Sequence, residues 1–517
     1  MHVLRTTTKL LPLVALLFAF GACNEDEFLT RTPLGRYTPA NFYSNQEQFI
    51  DATNTLYPLA RGLHTGGLFT YGEFRSDNTT FEFNPNDRGR NGTERIDYFL
   101  LEATDGLHNA VYNSPYTGIA RANYILAQID DVEFTFADGG LEPAERREAA
   151  AGEAFFFRGY FHSLLTQHFG DIVTTTEIVE GDGTGLAQLR RQPADEAYDN
   201  VIIPDLERAI DLLPDDWDRD NTGRVTSHVA RMALAKAHFA RRDYAAALPL
   251  LEAIINSGQY QLMDDYRSVF FTEQRDNPEI LWAAQYNAGA GQGSTFMRDW
   301  IPQSGMDILI DANRGGAGFN IPTCSLIDAY EDGDARFAAT IAFYDEDEDD
   351  PDNEVIPYSV KYLEVPFPVE GGVDVDYPIF RYAEVLLMYA EALVEVNGGL
   401  PNEAFTGINS LRARAGLGFY FPGNPNPALN IETTEQLREA IRQERRVELA
   451  YEGKRSYDLR RYGTFVETML EHGEVQKVKQ AEFLDELPEA YTNIRELLAI
   501  PQGQIDLYQY RQNPGWE

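Results

Sequence analysis

Aromatic residues outside the predicted helical faces are the strongest candidates for binding chemistry in this sequence. Tyr71 and Phe74 stand close to three polar residues, Arg75, Asp77 and Asn78. A flat ring beside hydrogen-bonding side chains makes an amphipathic pocket, and such a ring covers the apolar face of a sugar. With two aromatic residues of a second segment added, the predicted ligand-binding set is Tyr71, Phe74, Arg75, Asp77, Asn78, Phe296 and Trp300.

The same rings also fit a buried core, so a structural role remains the alternative. Ile280, Leu281 and Trp282 form a short apolar run that predicts a buried strand. Trp300 lies in a Gly-rich region that fits either a surface loop or the core.

Familiar enzyme motifs are missing from the full sequence. It contains no HExxH and no GxSxG, and Lys454, the one Lys that follows a Gly, precedes Arg instead of the Ser or Thr of a phosphate loop. His162 and His168 are six residues apart, which places them on opposite faces of a helix. The acidic run 345–350 lacks the Gly and the distant Glu of a calcium loop. We therefore predict no enzyme, no catalytic residue, no metal ligand and no cofactor.

The first residues have the pattern of an export signal. Arg5 and Lys9 precede an apolar run over 10–20, which is too short to span a bilayer. The sequence Phe-Gly-Ala-Cys that ends at Cys23 resembles the lipobox of bacterial lipoproteins. We predict a signal peptide over 1–22, lipidation of Cys23, and a body outside the cytoplasm that is held to a membrane by its lipid.

The charge balance limits the partners of the chain. Its 82 acidic and 43 basic residues give a net charge of −39, which disfavours nucleic acid and anionic membrane surfaces. The basic residues are 37 Arg and only 6 Lys, and that skew with the acid excess is typical of proteins that work in concentrated salt. An acidic secreted protein with an Arg-rich codon bias is the alternative.

Helical periodicity dominates the body, and two segments, 227–256 and 381–415, predict helix-turn-helix pairs. In each pair two alanines lie twelve residues apart, as the small residues do at the close crossing of a tetratricopeptide repeat. These are Ala235 with Ala247, and Ala392 with Ala404. We predict a mainly α fold, a scaffold of tetratricopeptide-like helical repeats with a loop-rich ligand-binding region.

The predicted organisation follows from these segments. After the signal peptide we expect an N-terminal helical region over 23–225 with a loop insert at 63–95. A C-terminal region over 226–517 contains both helix pairs and a loop-rich insert at 258–380. Pro501 and Pro514 predict an extended closing segment.

Several blocks of the sequence resemble the SusD/RagB family of outer-membrane nutrient-binding lipoproteins. Besides the lipobox, the resemblance is carried by Glu153–Asp171, Tyr377–Ala392, Glu444–Gly463, Ile500–Gln502 and Gln512–Trp516. The charges of the Glu444 block predict ion pairs that dock a helix end, because acids and Arg alternate along it.

This resemblance implies a function in nutrient binding. Such a protein is anchored by lipid at the cell surface, lies over a SusC-type TonB-dependent transporter of the outer membrane, and delivers a bound nutrient, an oligosaccharide, to the transporter's pore. Two alternatives stay open. The ligand is a peptide or glycopeptide, or the chain is a helical-repeat adaptor without a soluble ligand.

Overall fold

The structure is a computed structural model that describes residues 42–81, 91–179, 188–302, 318–345, 355–364, 372–485 and 487–517. The predicted signal peptide, Cys23 and most of the acidic tract lie outside the described residues. Within the described ranges, no helix is both long enough and apolar enough to cross a bilayer.

Helices form most of the described chain, which confirms the predicted mainly α fold. They are α1 (Gln46–Asn54), α2 (Tyr57–His64), α3 (Gly67–Glu73), α4 (Asn91–Asp97), α5 (Leu107–Gln128), α6 (Pro143–Phe169), α7 (Ala194–Ala197), α8 (Ile203–Leu212), α9 (Ser227–Ala240), α10 (Tyr244–Asn256), α11 (Cys324–Ile327), α12 (Ala335–Thr340), α13 (Tyr382–Asn397), α14 (Asn402–Arg414), α15 (Thr434–Glu448), α16 (Arg455–Tyr462), α17 (Phe465–Lys479), α18 (Ala481–Leu484) and α19 (Gln502–Tyr508). The strands are β1 (Thr79–Thr80), β2 (Ile280–Ala284), β3 (Ile321–Pro322), β4 (Ile341–Tyr344), β5 (Ile356–Ser359) and β6 (Tyr377–Arg381).

The long helices stack in chain order as a solenoid. Helix α5 packs on α6, α6 on α8, α8 on α9, α9 on α10, α10 on α13, and α13 on α14. Both predicted helix pairs are present, and the alanines at their crossings, Ala235, Ala247, Ala392 and Ala404, are completely buried. Small side chains let the axes of paired helices approach, so this spacing was a reliable signal.

Helix α6 is the central helix of the N-terminal half. Pro143 occupies its first turn, and Glu142 and Glu145 form a reciprocal capping box that satisfies free amides at the helix start. Its aromatic residues Phe156, Phe157 and Phe161 are completely buried. The helix is buried on most sides because α5 and α8 both pack on it.

The strands form three small antiparallel pairs, β1 with β3, β2 with β6, and β4 with β5. Strand β2 contains Trp282, which is only 3% exposed and packs edge-on against the rings of Phe156 and Tyr160. The predicted buried strand at this position is therefore confirmed.

Two local predictions were wrong. Helix α3, with parts of α2 and α4, lies in the described part of the predicted loop insert 63–95. The glycines of α3 mask its helical pattern, but burial of Leu68, Phe69 and Tyr71 stabilises the helix. The closing segment is not extended throughout, since α19 begins directly after Pro501, which takes the N-cap position where a missing amide costs little.

The Arg and Glu residues of the C-terminal blocks form buried ion pairs, as predicted. Arg381 is 1% exposed and donates to Glu279, Glu448 and Glu452. These three carboxylates hold its guanidinium where β6 meets the end of α15. Hydrogen bonds and opposite charges offset the large desolvation cost of burying such groups.

Candidate functional site

Five of the predicted ligand-binding residues lie in the segment that follows the start of α3, and the polar groups of four of them are paired within the protein. Tyr71 is 2% exposed, with its hydroxyl 3.3 Å from Nδ1 of His108. Asp77 is paired with Arg446 and Arg455. Burial alone would raise the pKa of Asp77, but the two guanidinium groups hold it well below its usual range.

Arg75, Asn78 and Phe74 are buried in the same region. Arg75 donates to the backbone carbonyls of Arg495 and Glu496, while its guanidinium lies 5.1 Å from the ring centre of Phe99. Asn78 accepts a hydrogen bond from Arg446 and donates to Glu73, and Phe74 packs on Phe69. The predicted contact of these residues with a ligand stays a prediction, and in this structure they tie α3 to the C-terminal helices.

The second predicted segment divides into a buried and a half-buried ring. Trp300 is 4% exposed and stacks on Phe69 with ring centres 4.7 Å apart. Phe296 packs 5.3 Å from Trp300 and keeps part of its ring at the surface. Of the predicted aromatic residues, Phe296 alone is not classed as buried.

An open cleft with aromatic walls lies between α5, the segment 173–179 and the end of α19. Its volume is about 260 Å³, and five tyrosine rings line it: Tyr112, Tyr116, Tyr124, Tyr508 and Tyr510. We call it the tyrosine cleft. Helix α5 supplies three rings from positions four and eight residues apart, which lie along one side of a helix.

The end of α19 supplies the other two rings of the tyrosine cleft. Gln509 has a left-handed backbone with φ of 56°, and the turn that it makes stacks Tyr508 on Tyr510 with ring centres 5.4 Å apart. The planes of these rings are 24° apart. Sequence reasoning missed this wall, because residues near 112 and near 508 share no spacing that a single sequence can show.

Hydrogen bonds fix the facing wall, which the segment 173–179 forms. The hydroxyl of Tyr116 donates to the carbonyl of Val173 and accepts from its amide, both at 3.1 Å. Asn123 donates to the carbonyls of Thr175 and Glu177. Burial raises the pKa of Tyr112 to about 12, so this phenol is neutral at physiological pH.

The tyrosine cleft is therefore an aromatic site with a single carboxylate in its described lining. Asn113 and Gln504 add amide groups at its edge, and Glu177 is the one ionisable acid or base, apart from the phenols, among the described lining residues. Rings that present flat faces beside amides can contact a neutral ligand with both apolar and hydroxyl surfaces.

A second and larger cleft, the central cleft, opens between α6, α9 and α16, with a volume of about 380 Å³. Lys236, Phe380 and Lys454 lie in it beside Tyr160 and Tyr457. Its lining is rich in cations, in contrast to the net charge of the chain. No group of three or more His, Cys, Asp or Glu side chains suited to a metal ion is gathered in the described ranges.

Stacked helical pairs with open clefts define a helical-repeat protein. Two family profiles match the sequence, the SusD family over residues 356–516 and a family described as "Starch-binding associating with outer membrane" over residues 39–239. Together they cover more than two thirds of the chain. This chain belongs to the SusD family.

Known SusD-like proteins resemble the chain along most of its length. SusD-like protein P2 from Formosa agariphila is 26% identical over 478 residues, which cover 87% of this chain and 89% of that protein. SusD-like protein P25 from the same organism is 25% identical over 503 residues, which cover 88% of this chain and 90% of that protein.

Solved structures share the fold. A laminarin-binding SusD-like protein superposes with a TM-score of 0.73 at 22% identity, covering 92% of this chain and 100% of that chain. Surface glycan-binding protein A from Bacteroides thetaiotaomicron, in complex with laminarihexaose, gives a TM-score of 0.70 at 20% identity. The superposition covers 91% of this chain and 100% of that chain. These likenesses confirm the helical-repeat architecture.

Proposed function

We propose that this protein binds an oligosaccharide at the cell surface and delivers it to a SusC-like TonB-dependent transporter in the outer membrane. The observation that carries the ligand class is the tyrosine cleft, where stacked rings and amides suit the alternating apolar and hydroxyl faces of sugars. The names of the structural neighbours, one laminarin-binding and one solved with laminarihexaose, support the same class.

The tyrosine cleft favours a neutral glycan over an acidic one. Its described lining contains one carboxylate, Glu177, and no cation, while the whole chain carries −39 charges. Acidic polysaccharide is therefore repelled at low ionic strength, and concentrated salt screens that repulsion. A volume of about 260 Å³ is below the range of pockets that enclose a drug-sized ligand, so the cleft suits a short stretch of a longer sugar chain.

Phe296 is a second proposed contact. Its ring is half-buried, and it lies on the side of the molecule where the predicted aromatic set is found. Trp300, a buried member of that set, packs against the ring of Phe296.

We infer the location at the outer membrane and the transporter partner from the N-terminal signal sequence and from the SusD family. Lipidation of Cys23 would attach the chain to the outer membrane through two or more acyl chains, which hold more firmly than one. A position beside a transporter raises the effective concentration of ligand at the pore, so modest intrinsic affinity suffices. We infer a binding role without catalysis, since the sequence carries no familiar enzyme motif.

Peptide capture and a ligand-free adaptor are the competing functions. Arrays of neutral glycans, acidic glycans and peptides, probed with the purified chain in low and molar salt, separate them. We expect saturable binding to one neutral glycan class. Binding to peptides alone would move the function to protein-derived nutrients, and a folded sample that binds nothing would favour the adaptor.

A further inference from the structure

The central cleft has a floor built from two lysines that share one carboxylate. Nζ of Lys236 lies 2.5 Å from Oε1 of Glu384, and Nζ of Lys454 lies 3.4 Å from Oε2. Both ammonium groups also lie over the ring of Phe380, at 5.8 and 5.7 Å from its centre. Lys236 lines the cleft and keeps about a quarter of its side chain exposed, and its ammonium group can donate further hydrogen bonds besides the one to Glu384.

Cations outnumber carboxylates in the ion-pair cluster around this floor. Arg445 and Arg461 both form ion pairs with Asp458. Arg445 forms a second ion pair with Glu384, and Arg461 forms a second one with Glu391. Arg460 adds a further positive charge. It donates to the backbone carbonyls of Gln167 and Glu496, and the carboxylate of Glu496 lies close enough to interact with it electrostatically. The cluster therefore holds five cations, Lys236, Lys454, Arg445, Arg460 and Arg461, against four carboxylates, Glu384, Glu391, Asp458 and Glu496.

Two other charged residues of the cleft have partners of opposite charge. At the rim, Arg241 pairs with Asp195 and Asp199. Glu452 is paired with Arg381 and Lys361. Arg242 is a further cation of the lining, so the cleft has an excess of positive charge in a chain whose net charge is −39.

One buried donor in this cluster has no partner among the described residues. Nη1 of Arg445 makes no hydrogen bond there, although the side chain is only 4% exposed. A buried guanidinium N–H without an acceptor is costly. The pKa of Lys236 is consistent with an excess of positive charge at the floor. Burial lowers this pKa to about 8 against the opposing effect of Glu384, and the nearby cations Lys454 and Arg445 lower it further.

We propose that the central cleft binds a small organic acid, whose carboxylate is held by Lys236 and Lys454. The body of the ligand then lies against the apolar side chains that also line the cleft, among them Leu68, Phe69 and Phe239. At about 380 Å³ the cleft is larger than an inorganic anion needs, which favours an organic ligand of the size of a sugar acid. This site is separate from the tyrosine cleft and does not depend on the proposed function.

Calorimetric titration of the purified full chain tests the site with three probes of known structure. They are glucuronate, which is a sugar acid, hexanoate, which is an apolar acid, and glucose, which is the neutral match of glucuronate. We expect saturable binding of at least one acid and none of glucose. Binding of both acids would assign the site to carboxylates in general, and binding of glucuronate alone would assign it to sugar acids. Equal binding of glucuronate and glucose, or no binding of either acid, would overturn the proposal.

Two substitutions locate the binding. Lys236→Met keeps the apolar stem and removes the charge, so we expect a loss of affinity of at least tenfold, whereas Lys236→Arg should keep binding within about threefold. Lys477→Met is the matched control, since Lys477 lies on α17 outside the described lining of the central cleft and pairs with the exposed Glu474. Unchanged acid binding in a folded Lys236→Met variant would contradict the proposal. If that variant does not fold, the comparison of acid with glucose on the unmodified chain still decides it.

The pH dependence gives an independent readout. The charged and titratable groups that face Lys236 are Glu384, Lys454, Arg445, Asp458 and His64. Burial and the two lysines lower the pKa of His64 well below its usual range, and the cations around Glu384 outweigh burial and keep its pKa low. Neither group changes charge between pH 7 and 9, so acid binding should weaken as Lys236 loses its proton near pH 8. Affinity that is constant over this range would contradict a role for Lys236.

Discussion

Gly72 of α3 lies so close to Gly453 that a Cβ atom at position 72 would be 2.1 Å from the carbonyl oxygen of Gly453. The contact joins the N-terminal helices to the segment between α15 and α16. Gly453 itself has a φ of 63°, a backbone conformation that favours glycine. Two glycines 381 residues apart in the sequence are thus required at one point of the core.

Gly72→Ala should destabilise the protein by about 2–3 kcal/mol, because a backbone carbonyl cannot move aside as a flexible side chain does. Gly62→Ala on α2 is the control, since a Cβ there meets nothing within 4 Å, and alanine there should be neutral or slightly stabilising. Denaturant unfolding measures both. Equal stability of the two variants would show that the close approach does not exist.

Arg381→Met should destabilise the protein by about 3–5 kcal/mol or prevent folding, because it leaves Glu279, Glu448 and Glu452 without their shared cation. The control is Arg511→Met, which removes an exposed pair with Glu517 and should cost less than about 1 kcal/mol. The free energies of unfolding of both variants and the unmodified protein test this. Similar small losses for both would mean that the buried network contributes little.

Asp97→Asn should stabilise the protein increasingly as the pH rises. Burial raises the pKa of Asp97 to about 8, so between about pH 4 and pH 8 the folded state keeps a proton that the unfolded state has released. That proton difference makes stability fall with rising pH by about 1 kcal/mol per pH unit, and the asparagine variant lacks this contribution. The stability difference between variant and unmodified protein should grow from pH 5 to pH 8 and then level off. A difference that does not vary with pH would contradict the raised pKa.

Molar salt should raise the midpoint of thermal unfolding, since −39 net charges repel one another in the folded chain and salt screens that repulsion. The measurement compares unfolding midpoints from low to molar sodium chloride. A midpoint that does not rise would favour the alternative of an acidic secreted protein without adaptation to salt.

The helical scaffold was predictable because its signals are local. The twelve-residue spacing of Ala235 and Ala247 sits within one pair of helices, and the capping box of Thr433 and Gln436 marks the start of α15 within four residues. The alternation of Arg and Glu in the C-terminal blocks predicted ion pairs, although their partners in distant segments became known only from the fold.

The binding surfaces were harder to predict because they are assembled from distant segments. Tyr112 and Tyr508, which are nearly 400 residues apart in the sequence, both line the tyrosine cleft. The helix that carries Tyr508 was not predicted, because Pro501 in the sequence favours an extended segment. Tyr71 was predicted as a loop residue because glycines interrupt the helical pattern around it, yet packing against the C-terminal half stabilises a helix there. An aromatic residue close to polar ones in sequence fits a core and a sugar site equally well, and only tertiary structure separates the two.

The most direct measurement is calorimetric titration of the glycan selected on the array into four proteins: the unmodified chain, Tyr508→Ala, Tyr508→Phe and Phe419→Ala. Tyr508→Ala removes a cleft ring and should weaken binding at least tenfold, or about 1.4 kcal/mol, whereas Tyr508→Phe keeps the ring and should stay within about threefold. Phe419 is 49% exposed and lies outside the described lining of both clefts, so its loss should change nothing. Equal affinity of all four proteins would contradict oligosaccharide capture at the tyrosine cleft.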